Sequence, residues 1–353
     1  MAHFKYTDLA LWLREQIEKG QYRDGDRIPT EAELSERFLV SRDTVRKAVA
    51  VLEQENLLYK VRGSGTYVDT SDLKLLPDSF YSSRRVGILM NNLDHYIFPS
   101  IIKGINAVLN KHGYTSVMQF TNNCISQERE ALMDFLEGDF AGLIIEPTKG
   151  ALPQLNYDLY QRIARTRPAV LIHAKIPGLS LSYVTGGDEK GGLLLTDYLL
   201  DQGHKKIAVI FALDDQTGTA RYLGFVKAFQ NRGIAIPDET IFWYDSSDVS
   251  EIFTEPLNAR LHAALSSCSA VICQDDRLAN YLKKYLALHK EFREDIVICG
   301  FDDSEIARDQ NLTSVTHPKE EFGECAAMRL LEKIKNPSAD VSFEFIPKVV
   351  VRK

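Results

Sequence analysis

The chain has 353 residues, 44% hydrophobic and 26% charged, a balance that buries a core and excludes wholesale disorder, collagen-like repeats and a mainly membrane-embedded chain. That length exceeds what one core serves, so two or more domains are expected. A formal net charge of −7 supplies no global basic field, so any grip on nucleic acid must come from a local patch.

The opening stretch MAHFKYTDLALWLREQIEKG breaks every apolar run with charge, which is neither a secretory leader nor a membrane span, and the expected location is the cytoplasm. The five cysteines (124, 268, 273, 299 and 325) are odd in number and contain no C-x-x-C pair. They read as reduced core residues rather than a disulfide framework or a zinc cluster.

Residues 1–68 read as helices followed by a short glycine-bearing hairpin, a first domain. Thr30 and Glu33 form a T-x-x-E capping box, which predicts a helix ending near Phe38. After the turn Leu39-Val40, Ser41 can cap a second helix whose Val45, Ala48, Val49 and Leu52 share an arc of about 100°. Its other side carries Arg42, Asp43, Arg46 and Lys47. A short helix, a tight turn and an amphipathic helix with early arginines match the helix-turn-helix, whose second helix enters the major groove. Arg46 suits a guanine edge, and Ser41, Arg42 and Thr44 suit phosphates. A charged helix face is also what a merely solvated helix presents. Next come Leu57 to Val61, Arg62-Gly63-Ser64-Gly65 and Thr66 to Val68, two strands joined by a glycine turn, a wing with an arginine at its tip. From Arg37 to Arg62 six Lys or Arg face three acids, so the local field is positive.

The pattern P-T-E-x-E-L-S-x-R-F-x-V-S-R-x-T-V-R-x-A from Pro29, with R-G-S-G-T-Y-V from Arg62, resembles the winged helix-turn-helix of the GntR family of bacterial transcription regulators over residues 4–68. The resemblance implies that Arg42, Thr44 and Arg46 touch double-stranded operator DNA from the recognition helix. It implies that Arg62, Gly63, Ser64 and Gly65 enter the minor groove, with Lys5 and Glu31 near phosphates or bases. Leu39 and Asn56 stand where the family commonly has glycine; a turn with negative φ is expected at Leu39, while Asn56 tolerates a left-handed cap.

Residues 69–84 mix Ser, Asp and one Pro without a sustained period and read as a linker. From Arg85 to Lys353 short apolar runs (RVGILM, TSVMQF, AGLIIEP, AVLIH, KIAVIFA, AVICQDD, DIVICGFDD) alternate with helix-length stretches. The fold class is therefore α/β: a winged head, then two parallel-sheet lobes built from βαβ units, with crossings expected near Val184 and Ser314.

In such sheets a ligand lies beyond the carboxyl ends of the strands. Polar residues sit there repeatedly: Glu146, His173, Asp214-Asp215, Gln274-Asp275-Asp276 and Asp302-Asp303. Singly, Asp215, Asp276 and Asp303 read as helix caps. Glu146, Arg221, Asp275, Asp302 and His317 can satisfy sugar hydroxyls, and Tyr96 or Phe98 can cover a C–H face. Core packing for the aromatics and a surface loop for His317 are the plainer readings of each alone. Residue chemistry by itself implies a small polyhydroxylated ligand.

D-x-x-G-G (Asp188 to Gly192), R-x-x-G-F (Arg221 to Phe225), C-x-D-D (Cys273 to Asp276), G-F-D-D (Gly300 to Asp303) and L-T-S-V-x-x-P (Leu312 to Pro318) together resemble the LacI-type, periplasmic-binding-protein-like sensor. That resemblance implies effector bonds from Arg221 and Asp302; Gln274 departs from the usual Asn, which shifts that role to Asp275. With HYIFPSIIKGI, GLIIEPTK and SVTHPK, the combination is similar to the Gram-positive family of arabinose-utilisation repressors. The similarity implies L-arabinose as effector, a pocket of Tyr96, Glu146, His173, Arg221, Asp275, Asp302 and His317, a homodimer on a pseudo-palindromic operator, and release when sugar binds. No H-E-x-x-H, G-x-S-x-G or G-x-x-x-x-G-K-[ST] motif points to an enzyme or a bound cofactor. A sugar-binding protein without DNA activity would leave the Arg46 helix and the Arg62 wing idle.

Overall fold

The structure, a computed structural model, describes residues 6–18, 21–54, 57–61, 64–69, 83–92, 95–254 and 258–352. Lys5, Arg62 and Gly63 of the expected operator residues lie outside the described residues, as do Asn56 and residues 70–82 of the expected linker. The chain divides into two compact units, Met1–Ser82 and Ser83–Lys353.

In the first unit, α1 (Tyr6–Glu18), α2 (Glu31–Phe38) and α3 (Arg42–Gln54) precede an antiparallel pair, β1 (Leu58–Val61) and β2 (Gly65–Val68). The capping box forms: the Glu33 N–H donates to Thr30 Oγ1 at 3.3 Å and the Thr30 N–H to Glu33 Oε2 at 2.6 Å. Val45, Ala48, Val49 and Leu52 of α3 are buried with Leu9 and Leu13 of α1 and Leu34 of α2, so the apolar arc becomes the core of the head. Leu39 corrects an expectation. Its φ is 53°, left-handed, and its side chain is 93% exposed. The N–H groups of Leu39 and Val40 both donate to the Ser35 carbonyl, and Ser35 Oγ donates to the Val40 carbonyl at 2.6 Å. These bonds close the end of α2 and offset the roughly 1–2 kcal/mol that a left-handed L-residue costs.

The second unit carries two six-stranded sheets. The first lobe contains β3 (Arg85–Met90), α4 (Phe98–Lys111), β4 (Thr115–Phe120), α5 (Ile125–Glu137), β5 (Gly142–Ile145), α6 (Tyr157–Thr166), β6 (Ala169–Ile172) and β7 (Ser182–Thr185). The second contains α7 (Asp188–Asp201), β8 (Ile207–Ala212), α8 (Gln216–Asn231), β9 (Ile241–Tyr244), α9 (Ala259–Ser267), β10 (Ala270–Cys273), α10 (Asp276–Leu288), β11 (Val297–Asp302), α11 (Glu305–Asp309) and β12 (Thr313–Thr316). The chain then returns with α12 (Lys319–Lys335) and β13 (Phe343–Glu344) to the first lobe, and ends with β14 (Val349–Val350) in the second. Sheet orders are β13-β7-β6-β5-β3-β4, parallel throughout, and β14-β12-β11-β10-β8-β9, parallel except for β14. Their central strands are wholly buried, as continuous Val/Ile/Leu runs flanked by helices on both faces must be. This is the α/β architecture read from the sequence. The chain crosses between lobes after β7 and after β12, and a third time at residues 345–348, a crossing the apolar runs did not announce.

One helix pair in each lobe meets backbone to backbone. On α4 and α12, a Cβ at Gly104 would fall 2.1 Å from the Glu320 carbonyl oxygen, and one at Gly323 would fall 2.0 Å from that of Ile101. On α7 and α8, Gly192 and Gly224 face the carbonyl oxygens of Arg221 and Glu189 at 2.2 and 2.0 Å from their would-be Cβ atoms. Only glycine admits that approach. It also fixes α8, and therefore Arg221, against the start of α7.

Candidate functional site

In the head, Ser41 just before α3 and Arg42 and Arg46 on it are exposed, while Glu31 of α2 and Thr44 of α3 are half-buried. Arg46 Nε donates to Glu31 Oε2 at 2.8 Å, and Lys47 pairs with Asp43 at 3.0 Å. Ser41 Oγ accepts the Thr44 N–H at 3.2 Å and meets the Thr44 hydroxyl at 2.8 Å, so Ser41 caps α3. Glu31, Ser64 and Gly65 line one groove between the start of α2 and the wing, and Arg46 reaches its edge through Glu31. Gly65 has a φ of 149°, a region that favours glycine. Arg27 and Lys60 line the same groove and carried no motif signal.

The second site is a cavity of about 200 Å³ between the two sheets, where the carboxyl ends of strands from both lobes face each other. Glu146, His173, Arg221, Asp275, Asp302 and His317 all line it. Tyr96 does not; its hydroxyl donates to the Asp302 carboxylate, while Phe98 lines the cavity from the first lobe and Tyr244 from the second. Eight described non-glycine residues have positive φ, and four of them, Asn123, Lys149, His173 and Asp302, line this cavity. Backbone strain concentrated at one cleft marks a site the surrounding fold holds in place.

Three clusters make up the wall. Glu146 Oε2 accepts the Asn91 N–H at 2.9 Å and its Oε1 meets His173 Nδ1 at 2.9 Å; His173 Nε2 lies 3.3 Å from His317 Nε2. Burial opposes protonation of His173, but the bond to Glu146 outweighs it and raises the imidazole above its ordinary value. Burial and then the neighbouring His173 push His317 well below the usual range, so this pair divides into one basic and one neutral ring. Phe322 of α12 stacks on His173 at 4.6 Å and fixes its plane.

Arg221 forms the second cluster. Its Nε and Nη2 bond Asp188 Oδ1 at 2.9 and 2.8 Å, its Nη1 donates to the Gln274 carbonyl, and Nη2 stands 3.9 Å from Asp302 Oδ1. Its guanidinium lies 4.2 Å over the Phe301 ring. Asp188 opens α7 and is the partner that aims this arginine; it is the first residue of the D-x-x-G-G motif.

Asp275 forms the third. Its Oδ1 caps α10 by accepting the Leu278 N–H at 2.7 Å, and its Oδ2 meets His95 Nε2 at 3.0 Å. Burial would raise this carboxyl, but the His95 contact holds it below its ordinary value. The cap reading therefore moves by one residue. Asp276 turns inward, accepting from Ser304 N and Oγ, both at 2.8 Å, and from Ser314 Oγ at 2.6 Å. Asp215 does cap α8, through Thr217 N at 2.8 Å, while α11 is capped by Ser304 rather than Asp303, which pairs with Arg352. Gln274 lines the cavity with its amide bonded to Thr217 Oγ1 at 3.0 Å and Asp215 Oδ2 at 3.2 Å. Two buried nitrogens on the lining, His95 Nδ1 and His317 Nδ1, have no hydrogen-bond partner among the described residues.

The comparisons with known proteins agree in both units. Residues 5–68 match the bacterial regulatory proteins of the gntR family, and residues 196–353 match the periplasmic binding protein-like domain. The arabinose metabolism transcriptional repressor of Geobacillus stearothermophilus is 34% identical over 99% of this chain and 96% of its own length. That of Halalkalibacterium halodurans is 35% identical over the same shares of each chain. The chain belongs to this family of transcriptional repressors. The fold of the repressor body is shared with the transcription regulator CcpA of Lactococcus lactis, at a TM-score of 0.65 and 21% identity over 76% of this chain and 98% of that one. Among the described residues of the repressor, no helix is long and apolar enough to cross a membrane.

Proposed function

We propose that this repressor grips a pseudo-palindromic operator as a homodimer through its winged heads, and lets go when L-arabinose fills the cavity between its lobes. The observation that carries the reading is the cavity wall, in which carboxylates of both lobes, a clamped arginine and a split histidine pair surround a space walled on one side by Phe98. A pentose presents adjacent hydroxyls that donate to Glu146, Asp275 and Asp302 and accept from His173, with one C–H face against the ring of Phe98. The unpartnered nitrogens of His95 and His317 gain partners from the same hydroxyls. Tyr96 acts behind Asp302, orienting that carboxylate.

On the DNA side, Arg46 leaves Glu31 for a guanine edge, while Arg42, Ser41 and Thr44 meet phosphates at the start of α3. Arg62, Gly63, Ser64 and Gly65 enter the minor groove, and Lys5 contacts the backbone. The chain acts by binding alone, without catalysis, in the compartment where its operator lies. Because the head spans residues 1–68, the linker 69–84 and the sensor 85–353, closure of the lobes reaches the DNA only by changing how two tethered heads are spaced.

Calorimetry of the full chain against a panel of pentoses and hexoses tests the effector. L-arabinose should bind most tightly and Asp302→Asn should weaken it by about tenfold or more, since a buried carboxylate that accepts hydroxyl bonds contributes about 1.5–3 kcal/mol. Binding of a hexose in preference to L-arabinose would reject the effector assignment.

A further inference from the structure

The cavity has a rim that none of the roles above uses. On the first lobe, the β5–α6 connection presents Lys149, and the β4–α5 connection presents Asn123; on the second, Asp214 follows β8 and Asp245 follows β9. Lys149 Nζ lies 3.1 Å from Asp245 Oδ2 and 3.3 Å from Asp214 Oδ2, and Asn123 Nδ2 donates to that Asp214 oxygen at 2.9 Å. The Ala151 N–H also donates to the Asp214 carbonyl at 3.2 Å. Every one of these bonds joins one lobe to the other. They can exist only while the lobes are together.

Lys149 is not a floppy surface cation that wandered into range. Its φ is 48°, and the residues around it hold that backbone: Glu128, wholly buried, accepts the Thr148 N–H at 2.7 Å, and Thr148 Oγ1 donates to Asn91 Oδ1 at 2.9 Å. Glu128 is itself held by Tyr160 and Asn156 at 2.6 and 2.7 Å. A strained backbone on so well-anchored a base aims the side chain across the cleft. Asp214 is 2% exposed and receives Ser246 N and Oγ as well, so it is fixed from its own side. Burial alone would lower the Lys149 ammonium; the bonds to Asp245 and Asp214 outweigh it and raise it, which keeps the bridge charged. Asp245 is not among the residues that line the cavity.

We propose that Lys149 and Asp245 form a clasp that holds the lobes closed in the absence of sugar and so sets the sugar concentration at which the operator is released. The inference rests on the reading of the cavity as the sugar site. A ligand that binds only the closed form has its intrinsic dissociation constant divided by the closed fraction, so a smaller closed fraction means weaker apparent binding. Interlobe bonds that need no ligand raise that fraction. Asp245 is therefore a positioning residue: it strengthens sugar binding without touching sugar.

The test uses the full chain, with L-arabinose as probe in calorimetry. Asp245→Asn removes the outer half of the clasp and should raise the Kd about two- to fivefold, the effect of one partly exposed ion pair. Lys149→Gly keeps the left-handed backbone free of strain while removing the ammonium, and should raise it at least as much. In the double variant Asp245→Asn should add little, because its partner is already gone. An unchanged Kd in Asp245→Asn, or a full additive loss in the double variant, would overturn the clasp. Hydrogen exchange on the sugar-free chain separates this failure from failure of the sugar reading, since it needs no ligand. Amides of residues 121–124, 146–151 and 213–216 should exchange faster in Asp245→Asn than in the parent, and equal protection would count against the clasp even if no sugar bound.

Discussion

Arg46 and Asp276 show how differently two charged residues can be used. Arg46 projects from the exposed face of α3 and holds Glu31, a partner it can exchange for a base edge at little cost because both are partly solvated. Arg46→Ala should weaken operator binding by about 1–3 kcal/mol, the value of one bidentate base contact, and leave sugar affinity unchanged; a gel shift beside calorimetry checks both. Asp276 is wholly buried, and burial followed by the Asp302 charge pushes its carboxyl up to about 7, against the pull of the Ser304 and Ser314 donors. A carboxyl whose folded value is raised binds more protons folded than unfolded, so its contribution is present below about pH 4 and is lost as pH rises through about 7. Thermal unfolding should therefore show the parent losing stability across that window, and Asp276→Asn losing less. The sequence marked Asp276 as a cap because an acid follows a strand there; which of two adjacent acids caps depends on where α10 begins, and the structure gives that place to Asp275.

At the scale of elements, the glycines of the R-x-x-G-F and D-x-x-G-G motifs find their physical reason. Gly224 and Gly192 let α7 and α8 touch backbone to backbone, and Gly104 and Gly323 do the same for α4 and α12. Gly224→Ala and Gly323→Ala should each destabilise by about 1–3 kcal/mol or more, as overpacking does, read as a lower thermal midpoint. Gly224→Ala should in addition weaken sugar binding, because α8 carries Arg221. Elements were legible wherever the signal was local: the Thr30 capping box, the apolar arc of α3, the antiparallel pairing of β1 with β2 and the βα alternation all reappear. What was not legible is long-range. The third crossing at residues 345–348 depends on β13 and β14, two-residue strands with too few residues to show a period. Leu39 reads as unfit for a left-handed turn until Ser35 is seen closing that turn from both sides. Lys149 closes the GLIIEPTK run without any local mark of a role, since its significance lies in Asp214 and Asp245, which are far away in the chain.

For the whole molecule, the same chain combines a net charge of −7 with a positive run from Arg37 to Arg62. Operator affinity should accordingly fall steeply as salt rises, with a slope reduced by about one when Arg42→Ala removes a phosphate contact, as titrations at several salt concentrations will show. The sensor's influence is through its two lobe arrangements, and the coupling it can exert is bounded by its differential affinity for sugar in each. The most direct measurement is the affinity of the full chain for its operator by fluorescence anisotropy, with and without saturating L-arabinose. The account predicts a loss of about five- to 150-fold on adding the sugar, the span of ordinary allosteric coupling. Equal affinities in a chain that demonstrably binds L-arabinose would contradict it.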